Sequence, residues 1–468
     1  MTRTPVAAGV GFRSDRGPVL IALMVTTGLI AIDATVLATA VPTIVADLGG
    51  FTSFPWLFSI YVLTQAVSVP LYSKVSDTIG RKPVILVGIA LFLIGSVLCG
   101  LATSMPALIA FRAVQGLGAG AVQPMAITII GDIYTVTERA TVQGYVASVW
   151  GTASVLGPTL GGLFSQYAGW PWIFFVNVPL GLVAAWLLVR RFHEHIEPRR
   201  HRLDWPGGTL LTIGLALVIL ATLEGGTAWA WDSWQSLGAF GVGIVALLIF
   251  ARVEREADEP VLPPWLFSRR LLVTTTLVGF GVGVLLLGVT TYVPTFLEAR
   301  LGLRPLASGL TLAPLLLGWP ISASQAGRLY LRFGFRRTVL IGGTVAVTGA
   351  VALAVVSARP SVPGIGGACF LLGLGLGLVA TPSLIAAQSS VEWAERGVVT
   401  GANMLARSAG SAVGVAVLGA LVNGLMGEVA AVQDPARFGV AATAAFWTVA
   451  GVAVLMAAAG WAMPRQQR

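Results

Sequence analysis

The chain has 468 residues, of which 56% are hydrophobic and only 10% are charged, whereas soluble domains carry about 25% charged residues. This balance excludes a soluble globular protein and indicates an all-α membrane protein. The formal net charge of +9 would suit nucleic-acid binding. However, the basic residues lie in short segments between apolar spans, without the interleaved aromatic residues of a nucleic-acid site. We therefore interpret the charge as topological and expect no nucleic-acid partner.

Apolar segments of about 20 residues, the length that crosses a bilayer, recur along the whole chain. They predict about 14 transmembrane helices. Their approximate extents are 19–45, 54–73, 83–103, 105–132, 139–166, 170–191, 206–224, 235–253, 270–298, 306–330, 336–358, 362–390, 396–425 and 439–463.

The basic residues predict the orientation of these helices. If the N-terminus is cytoplasmic, almost every Lys and Arg falls in a cytoplasmic loop, as the positive-inside rule requires. The exceptions are Arg300, Arg304, Arg359 and Arg437 outside, and Arg112 and Arg407 within spans. We therefore expect a multi-pass protein of the inner or plasma membrane with both termini in the cytoplasm. The preference for Arg over Lys and the 57 glycines are typical of a high-GC bacterial genome, such as that of an actinobacterium.

Few side chains suit metal or enzyme chemistry. Cys99 and Cys369 lie in apolar spans, and the three histidines share one Arg-rich connection. Neither set predicts a disulfide framework or a metal centre. No nucleophile–base constellation or phosphate-binding loop of the form G-x-x-x-x-G-K-[ST] occurs. We expect neither an enzyme nor a cofactor, so any transport would draw on an ion gradient or on diffusion.

A short charged loop after the second span, SKVSDTIGRKPV, has a counterpart after the tenth span, GRLYLRFGFRRTV. The repeat predicts two similar six-helix halves, residues 1–200 and 263–468, with a two-helix insertion at 201–262. In the first loop, Gly80 permits a tight reversal, while Asp77, Arg81 and Lys82 can pin helix ends together and release them. The alternative is a purely topological basic loop.

This loop resembles the signature of the major facilitator superfamily, G-x-L-a-D-R-x-G-R-[RK], in which Asp77, Gly80, Arg81 and Lys82 match. The resemblance implies a conformational latch. In the second copy Leu331 replaces the acid, so that copy is expected to lack an acid-based latch.

The sequence GTASVLGPTLGG in the fifth span resembles the motif that marks antiporters within the superfamily. The matching residues are Gly157, Pro158, Gly161 and Gly162. A proline loosens a helix and a G-x-x-x-G face allows close helix contact, so ordinary tight packing is the alternative. Residues 292–318 and 401–421 also resemble stretches of the 14-helix drug:proton antiporter branch of the superfamily. Together with the motif in the fifth span, this resemblance implies that branch and implies export.

Asp33 lies in the middle of the first span, in IDATVLATAVP, which resembles the first-helix motif of that branch. Arg112, in a stretch similar to the fourth-helix motif, lies at a comparable depth, because both are about 7–12 residues from the outer ends of their spans. We therefore expect Asp33 and Arg112 to meet. Removal from water favours a protonated carboxyl and a nearby Arg favours the charged form, so this pair could couple protons to substrate. The alternative is a static pair that fixes helix packing.

Other polar and large side chains could line a substrate cavity or simply pack between helices: Tyr61, Gln65, Gln115, Met125, Trp150, Tyr292, Asn403 and Arg407. The sequence predicts a monomeric, proton-coupled antiporter that exports amphipathic or cationic small molecules by alternating access. Two alternatives remain open. One is a dedicated exporter of an endogenous metabolite or lipid, and the other is a non-transporting sensor or scaffold on the same fold.

Overall fold

The computed structural model describes residues 10–49, 53, 56–194, 204–225, 229–257, 260–303, 305–426 and 435–465. These residues form helices joined by short connections. The helices are α1 (Gly17–Leu48), α2 (Trp56–Ile79), α3 (Arg81–Gly100), α4 (Met105–Ile133), α5 (Val136–Leu163), α6 (Trp172–Phe175), α7 (Asn177–Arg191), α8 (Trp205–Glu224), α9 (Trp234–Glu256), α10 (Trp265–Ser268), α11 (Arg270–Leu301), α12 (Pro305–Leu310), α13 (Ala313–Phe333), α14 (Phe335–Ser357), α15 (Val362–Ser389), α16 (Arg396–Met426) and α17 (Pro435–Trp461).

Local sequence explains several helix boundaries. The α4 helix begins after Ser104, whose hydroxyl accepts the Ala107 N–H, and α5 begins with a capping box between Thr135 and Glu138. Such caps satisfy the free N–H groups at a helix start. A glycine with positive φ makes each of the two repeated reversals, Gly80 before α3 and Gly334 before α14. The two similar loops of the sequence therefore share one backbone geometry.

The chain divides into two compact units. The first comprises 1–202 with 392–401, and the second comprises 203–391 with 402–468, so the division falls inside α16. In the first unit, α4 packs on α2 and α3, and α1 packs on α5 and α7. In the second, α15 packs on α13 and α14, and α17 packs on α11 and α14. The finer predicted division, with 201–262 as a separate insertion, stays a prediction.

Ten helical segments of the described residues are long and apolar enough to cross a membrane. They are α1, α3, α4, the α6–α7 stretch, α9, α11, α14, α15, the Trp393–Met426 stretch and α17. The helices α2, α5 and α13 are not among them, and α8 is represented only by a shorter apolar stretch. An all-helical membrane protein is thus what the structure shows, while the 14 spans stay a prediction.

Candidate functional site

Asp33 on α1 and Arg112 on α4 form an ion pair inside the first unit. Arg112 Nη1 donates to Asp33 Oδ2 at 2.7 Å. Only 3% of Asp33 and 1% of Arg112 is exposed. The predicted meeting of these two residues is therefore present in the structure.

Amide and hydroxyl side chains complete the surroundings of the Asp33 carboxylate. Gln115 Nε2 donates to Asp33 Oδ1 at 2.8 Å and to Ser96 Oγ at 2.9 Å. Asn177 Nδ2 lies 3.4 Å from the same Asp33 oxygen and 3.3 Å from Ser96 Oγ. Both carboxylate oxygens thus accept hydrogen bonds. A buried charge persists only when it is paired and hydrogen-bonded in this way.

Arg112 has partners besides the acid. Its Nε donates to the Leu57 carbonyl at 3.1 Å, and Nη1 also donates to Gln115 Oε1 at 2.6 Å. The guanidinium carbon lies 4.2 Å from the centre of the Tyr61 ring, a cation–π contact. Arg112 therefore has polar and aromatic partners besides Asp33.

The sequence identified Asp33, Arg112, Gln115 and Tyr61 but did not assign the remaining members of this group. Asn177 has a signal in the sequence, because it is the only amide in the apolar stretch GWPWIFFVNVPLG at the start of the sixth span. Ser96 lies in an apolar stretch of α3 and has no such signal.

A second charged cluster lies at the loop between α2 and α3 and is centred on Arg81, whose side chain is fully buried. Arg81 Nη2 donates to Asp77 Oδ1 at 2.7 Å, and Nε lies 3.1 Å from Asp132 Oδ2. The same Nη2 donates to the Trp393 carbonyl at 2.7 Å, and the guanidinium lies 3.7 Å from the Trp393 ring centre. Arg81 thus joins the loop to α4 and to the segment 392–401.

Asp77 also accepts backbone N–H groups at the start of α16. Its Oδ2 lies 2.9 Å from Val398 N and its Oδ1 lies 3.2 Å from Gly397 N. A carboxylate at a helix N-terminus is favoured by the helix dipole. Asp77 lies beyond the predicted span 54–73. Burial raises the pKa of its carboxyl to about 7, although Arg81 and the two N–H groups act in the opposite direction.

The ends of α3 and α7 cap each other. Glu194 accepts the backbone N–H groups of Arg81 and Lys82, each at 3.0 Å. In return, Lys82 Nζ donates to the carbonyls of Phe192 at 2.6 Å and Val189 at 3.0 Å. Acids at helix starts and cations at helix ends are the favourable arrangement. The reversal at Gly80 brings both caps within reach.

All four predicted loop residues, Asp77, Gly80, Arg81 and Lys82, therefore lie in this cluster. The sequence analysis missed Asp132, Glu194 and Trp393. Each is far from the motif along the chain. The available signal was an acid at a predicted span end for Asp132 and an acid within an Arg-rich connection for Glu194.

The antiporter-type motif lies on α5, where Gly157 faces α1. A Cβ built on Gly157 would lie 2.6 Å from the Cβ of Thr35, and Thr35 Oγ1 donates to the Ala153 carbonyl at 3.1 Å. Gly161 is buried, whereas Gly162 is exposed and a Cβ there would meet nothing within 4 Å. Pro158 lies within α5, and its side chain is outside the described part.

The remaining predicted cavity residues are divided between the two units. Gln65, Met125 and Trp150 lie in the first unit with Tyr61 and Gln115, and Tyr292, Asn403 and Arg407 lie in the second. Met125 is fully buried in an apolar cluster of the first unit, as the packing alternative predicts. Gln65 Nε2 donates to Gln123 Oε1 at 2.9 Å. A cavity shared by these residues stays a prediction.

Comparison with known proteins identifies the relatives of this chain. A family model described as the Major Facilitator Superfamily matches residues 23–415. The chain is similar to the multidrug transporter protein MdtP of Bacillus subtilis (strain 168), with 34% identity over 418 residues, covering 89% of this chain and 77% of that protein. It is also similar to multidrug resistance protein 3 of the same organism, with 34% identity over 403 residues, covering 86% and 78%.

Among solved structures, the chain is similar to the human organic anion transporter MFSD10 (TETRAN). The TM-score is 0.63 at 17% identity, and the match covers 95% of this chain and 97% of that one. At this identity the likeness shows the fold alone.

Proposed function

The chain belongs to the major facilitator superfamily, and from this premise we propose that it is a proton-coupled antiporter that exports amphipathic small molecules. Membership makes it a transporter and not an enzyme. Relatives named multidrug transporter and multidrug resistance protein support a drug-like substrate for this chain. Proton coupling, antiport and the 14-helix branch are the finer parts of the proposal.

The observation that carries proton coupling is the burial of Asp33 beside Arg112. Acids and bases within membrane spans are rare because they are costly, and they mark ion pathways and proton relays. Stability alone is a weak explanation for this pair, because replacing a buried ion pair by apolar residues is often neutral or stabilising. Asp33 is the only acid more than one turn from the end of a predicted span. It is therefore the proton carrier that this chain offers.

Coupling then needs the substrate and the proton to compete at the Asp33–Arg112 pair, so that the bound substrate favours the unprotonated carboxylate. Loss of the proton restores the full ion pair with Arg112, and uptake frees Arg112 to rely on Leu57, Gln115 and Tyr61. Alternating access would exchange these two states across the membrane. We assign the Arg81 cluster the role of a latch, since its acids, its guanidinium and the α16 N-terminus form one network. The proton gradient is the energy source, and a monomer with cytoplasmic termini is the expected form.

The test uses the purified protein in liposomes with an imposed pH gradient and a pH-sensitive dye. Addition of amphipathic compounds should dissipate the gradient in the native protein. The Asp33→Asn variant should lose this response and remain folded at the assay temperature, although removing one partner of the buried pair lowers its stability. The matched control is Asp47→Asn, because Asp47 is an exposed acid on the same helix. Gradient-driven export by Asp33→Asn would contradict the assignment of Asp33.

The same assay separates the alternatives. A dedicated exporter of a metabolite or lipid would respond to one compound class and to no other. A sensor or scaffold would leave the gradient intact with every compound, in the native protein and in both variants.

A further inference from the structure

Arg407 is a basic residue deep in α16, and no counter-charge contacts it within the part of the chain that the structure describes. It lies 11 residues after Arg396, the first residue of α16, which is about 16 Å along the axis at 1.5 Å per residue. This places it about one turn from the middle of the predicted span 396–425. Among the residues that the structure describes, no hydrogen-bond acceptor, acid or aromatic ring contacts its guanidinium, and the residue as a whole is half-buried.

The predicted spans around Arg407 carry no acid at a comparable depth. In the six predicted spans of 263–468 the only acidic residue is Glu298, at the outer end of 270–298, and Glu298 accepts a hydrogen bond from Ser308 at 2.6 Å. The one acid deep in a span elsewhere is Asp33, whose two oxygens are occupied by Arg112 and Gln115. The deep parts of the spans therefore carry one more positive charge than negative charges.

The backbone around Arg407 is held in place by contacts with the neighbouring helix α11. These contacts fix the position from which the Arg407 side chain extends. One turn before it, Asn403 Nδ2 donates to the Thr275 carbonyl at 3.0 Å. One turn after it, Ser411 Oγ donates to the Gly283 carbonyl at 3.2 Å. A Cβ on Gly283 would collide with the Arg407 carbonyl. Position 283 of α11 must therefore be glycine for α16 to pack this closely against α11. The polar side chains of Asn403 and Ser411 thus bind the backbone of α11, whereas the Arg407 guanidinium does not take part in this helix contact.

We propose that Arg407 binds an anionic group of the transported molecule. The substrate class is then an amphiphile that carries a carboxylate, sulfonate or phosphate on an apolar body. This inference rests on the proposed export function and narrows it, since it disfavours the cationic compounds that the sequence also suggested. The physical reason is that a charged guanidinium without a hydrogen-bond partner within a membrane span is costly. Its five N–H donors match anionic oxygens better than any other ligand.

The experiment measures binding, not transport, in nanodiscs of phosphatidylcholine alone. The probes share one ring system: 1-anilinonaphthalene-8-sulfonate carries an anionic group and N-phenyl-1-naphthylamine does not. Both increase in fluorescence in a dry site, and empty nanodiscs supply the background. The variants are Arg407→Gln, Arg407→Lys and the control Arg359→Gln, which removes an exposed arginine.

We expect Arg407→Gln to weaken sulfonate binding by about tenfold or more, because a charge-assisted hydrogen-bonded pair is lost. Binding of the neutral amine should stay within about twofold, which also reports that the variant is folded. Arg407→Lys should retain most of the affinity, and Arg359→Gln should match the native protein. An equal loss for both probes in Arg407→Gln would overturn the proposal, and so would equal affinity of the native protein for both.

Two further outcomes separate this inference from the proposed function. If the sulfonate binds through Arg407 but a pH gradient in liposomes never moves it, the anion site stands and proton-coupled export fails. If the gradient drives export of cationic compounds while the sulfonate does not bind, export stands and the anion site is overturned. Displacement of the sulfonate by phosphatidylglycerol in the nanodisc would assign Arg407 to a lipid headgroup and overturn the substrate class.

Discussion

Arg112 Nη1 and Asp33 Oδ2 lie 2.7 Å apart in the interior of the first unit, and neither side chain has more than a few per cent of its surface exposed. The pair is asymmetric in its supports. Asp33 receives hydrogen bonds from Gln115 and Asn177, while Arg112 reaches the Leu57 carbonyl and the Tyr61 ring. Removing one charge therefore has a different consequence from removing both.

The first prediction concerns this asymmetry. Arg112→Gln should destabilise the protein by about 3–5 kcal/mol, because it leaves a buried carboxyl without its counter-charge. The double variant Asp33→Asn/Arg112→Gln should recover much of that loss, since no isolated charge remains. Apparent melting temperatures in detergent would give the order. A double variant that is less stable than Arg112→Gln would show that the pair is retained for stability and would weaken its assignment to proton coupling.

A second prediction separates two glycines of one motif. Gly157→Ala should destabilise the α1–α5 contact by about 1–3 kcal/mol, because the new methyl group must displace Thr35. Gly162→Ala should be neutral or stabilising, since its Cβ meets nothing and alanine favours a helix. Thermal stability and folded yield are the measurements. Similar losses at both positions would mean that the motif acts through backbone flexibility and not through packing.

The sequence predicted the parts of the site that are governed by strong energetic rules. A carboxylate inside an apolar span requires a partner, and the depths of Asp33 and Arg112 predicted which one. Likewise, the charged loop predicted Asp77, Arg81 and Lys82 as one cluster. The repeated charged loop, and not periodicity, supplied the two-halved architecture, which stays a prediction.

The sequence could not predict hydrogen-bond partners whose residue types are common throughout the chain. Ser96 has no local feature that distinguishes a network member from a packed side chain, and the acid of Glu194 within an Arg-rich connection does not reveal which helix start it caps. The number of spans was also beyond composition alone, because helices such as α2 and α13 combine proline, serine and charged residues with apolar ones. Several of their hydroxyls donate to carbonyls one turn earlier in the same helix, such as Ser68 to Gln65 and Ser322 to Trp319, which hydropathy does not record.

The third prediction tests the reciprocal caps of α3 and α7. Glu194→Gln should cost about 1–2 kcal/mol, because a neutral amide replaces a carboxylate that accepts two N–H groups at a helix start. Lys82→Gln should cost a similar amount through the two carbonyls of α7. The control is Glu256→Gln, whose ion pair with Arg252 is exposed and should be worth almost nothing. Chemical denaturation in mixed micelles would compare the three, and an effect of Glu256→Gln as large as the others would refute the capping account.

The last prediction is a pH dependence at Asp77. Burial raises the pKa of this carboxyl to about 7, well above its ordinary 3.8, while Arg81, Val398 and Gly397 only partly oppose the increase. The folded protein therefore holds a proton that the unfolded chain has released between about pH 4 and pH 7. The stabilising contribution of this proton is complete below pH 4 and is lost as the pH rises towards 7. Above pH 7 the ionised carboxylate binds Arg81 and the α16 N–H groups at full strength.

Infrared difference spectra can follow this proton directly, because only the protonated acid has a carboxylic C=O band. The band should appear with a midpoint near pH 7 as the pH falls and should be absent from Asp77→Asn. A matched control is Glu138→Gln, which should leave the band unchanged. Slight burial acts to raise the pKa of Glu138, but the Thr135 N–H and Arg16 outweigh it and hold that pKa below its usual range. If Asp77 titrates at the ordinary pKa of an aspartate, the Arg81 cluster cannot sense pH near neutrality, and a latch there would have to respond to substrate alone.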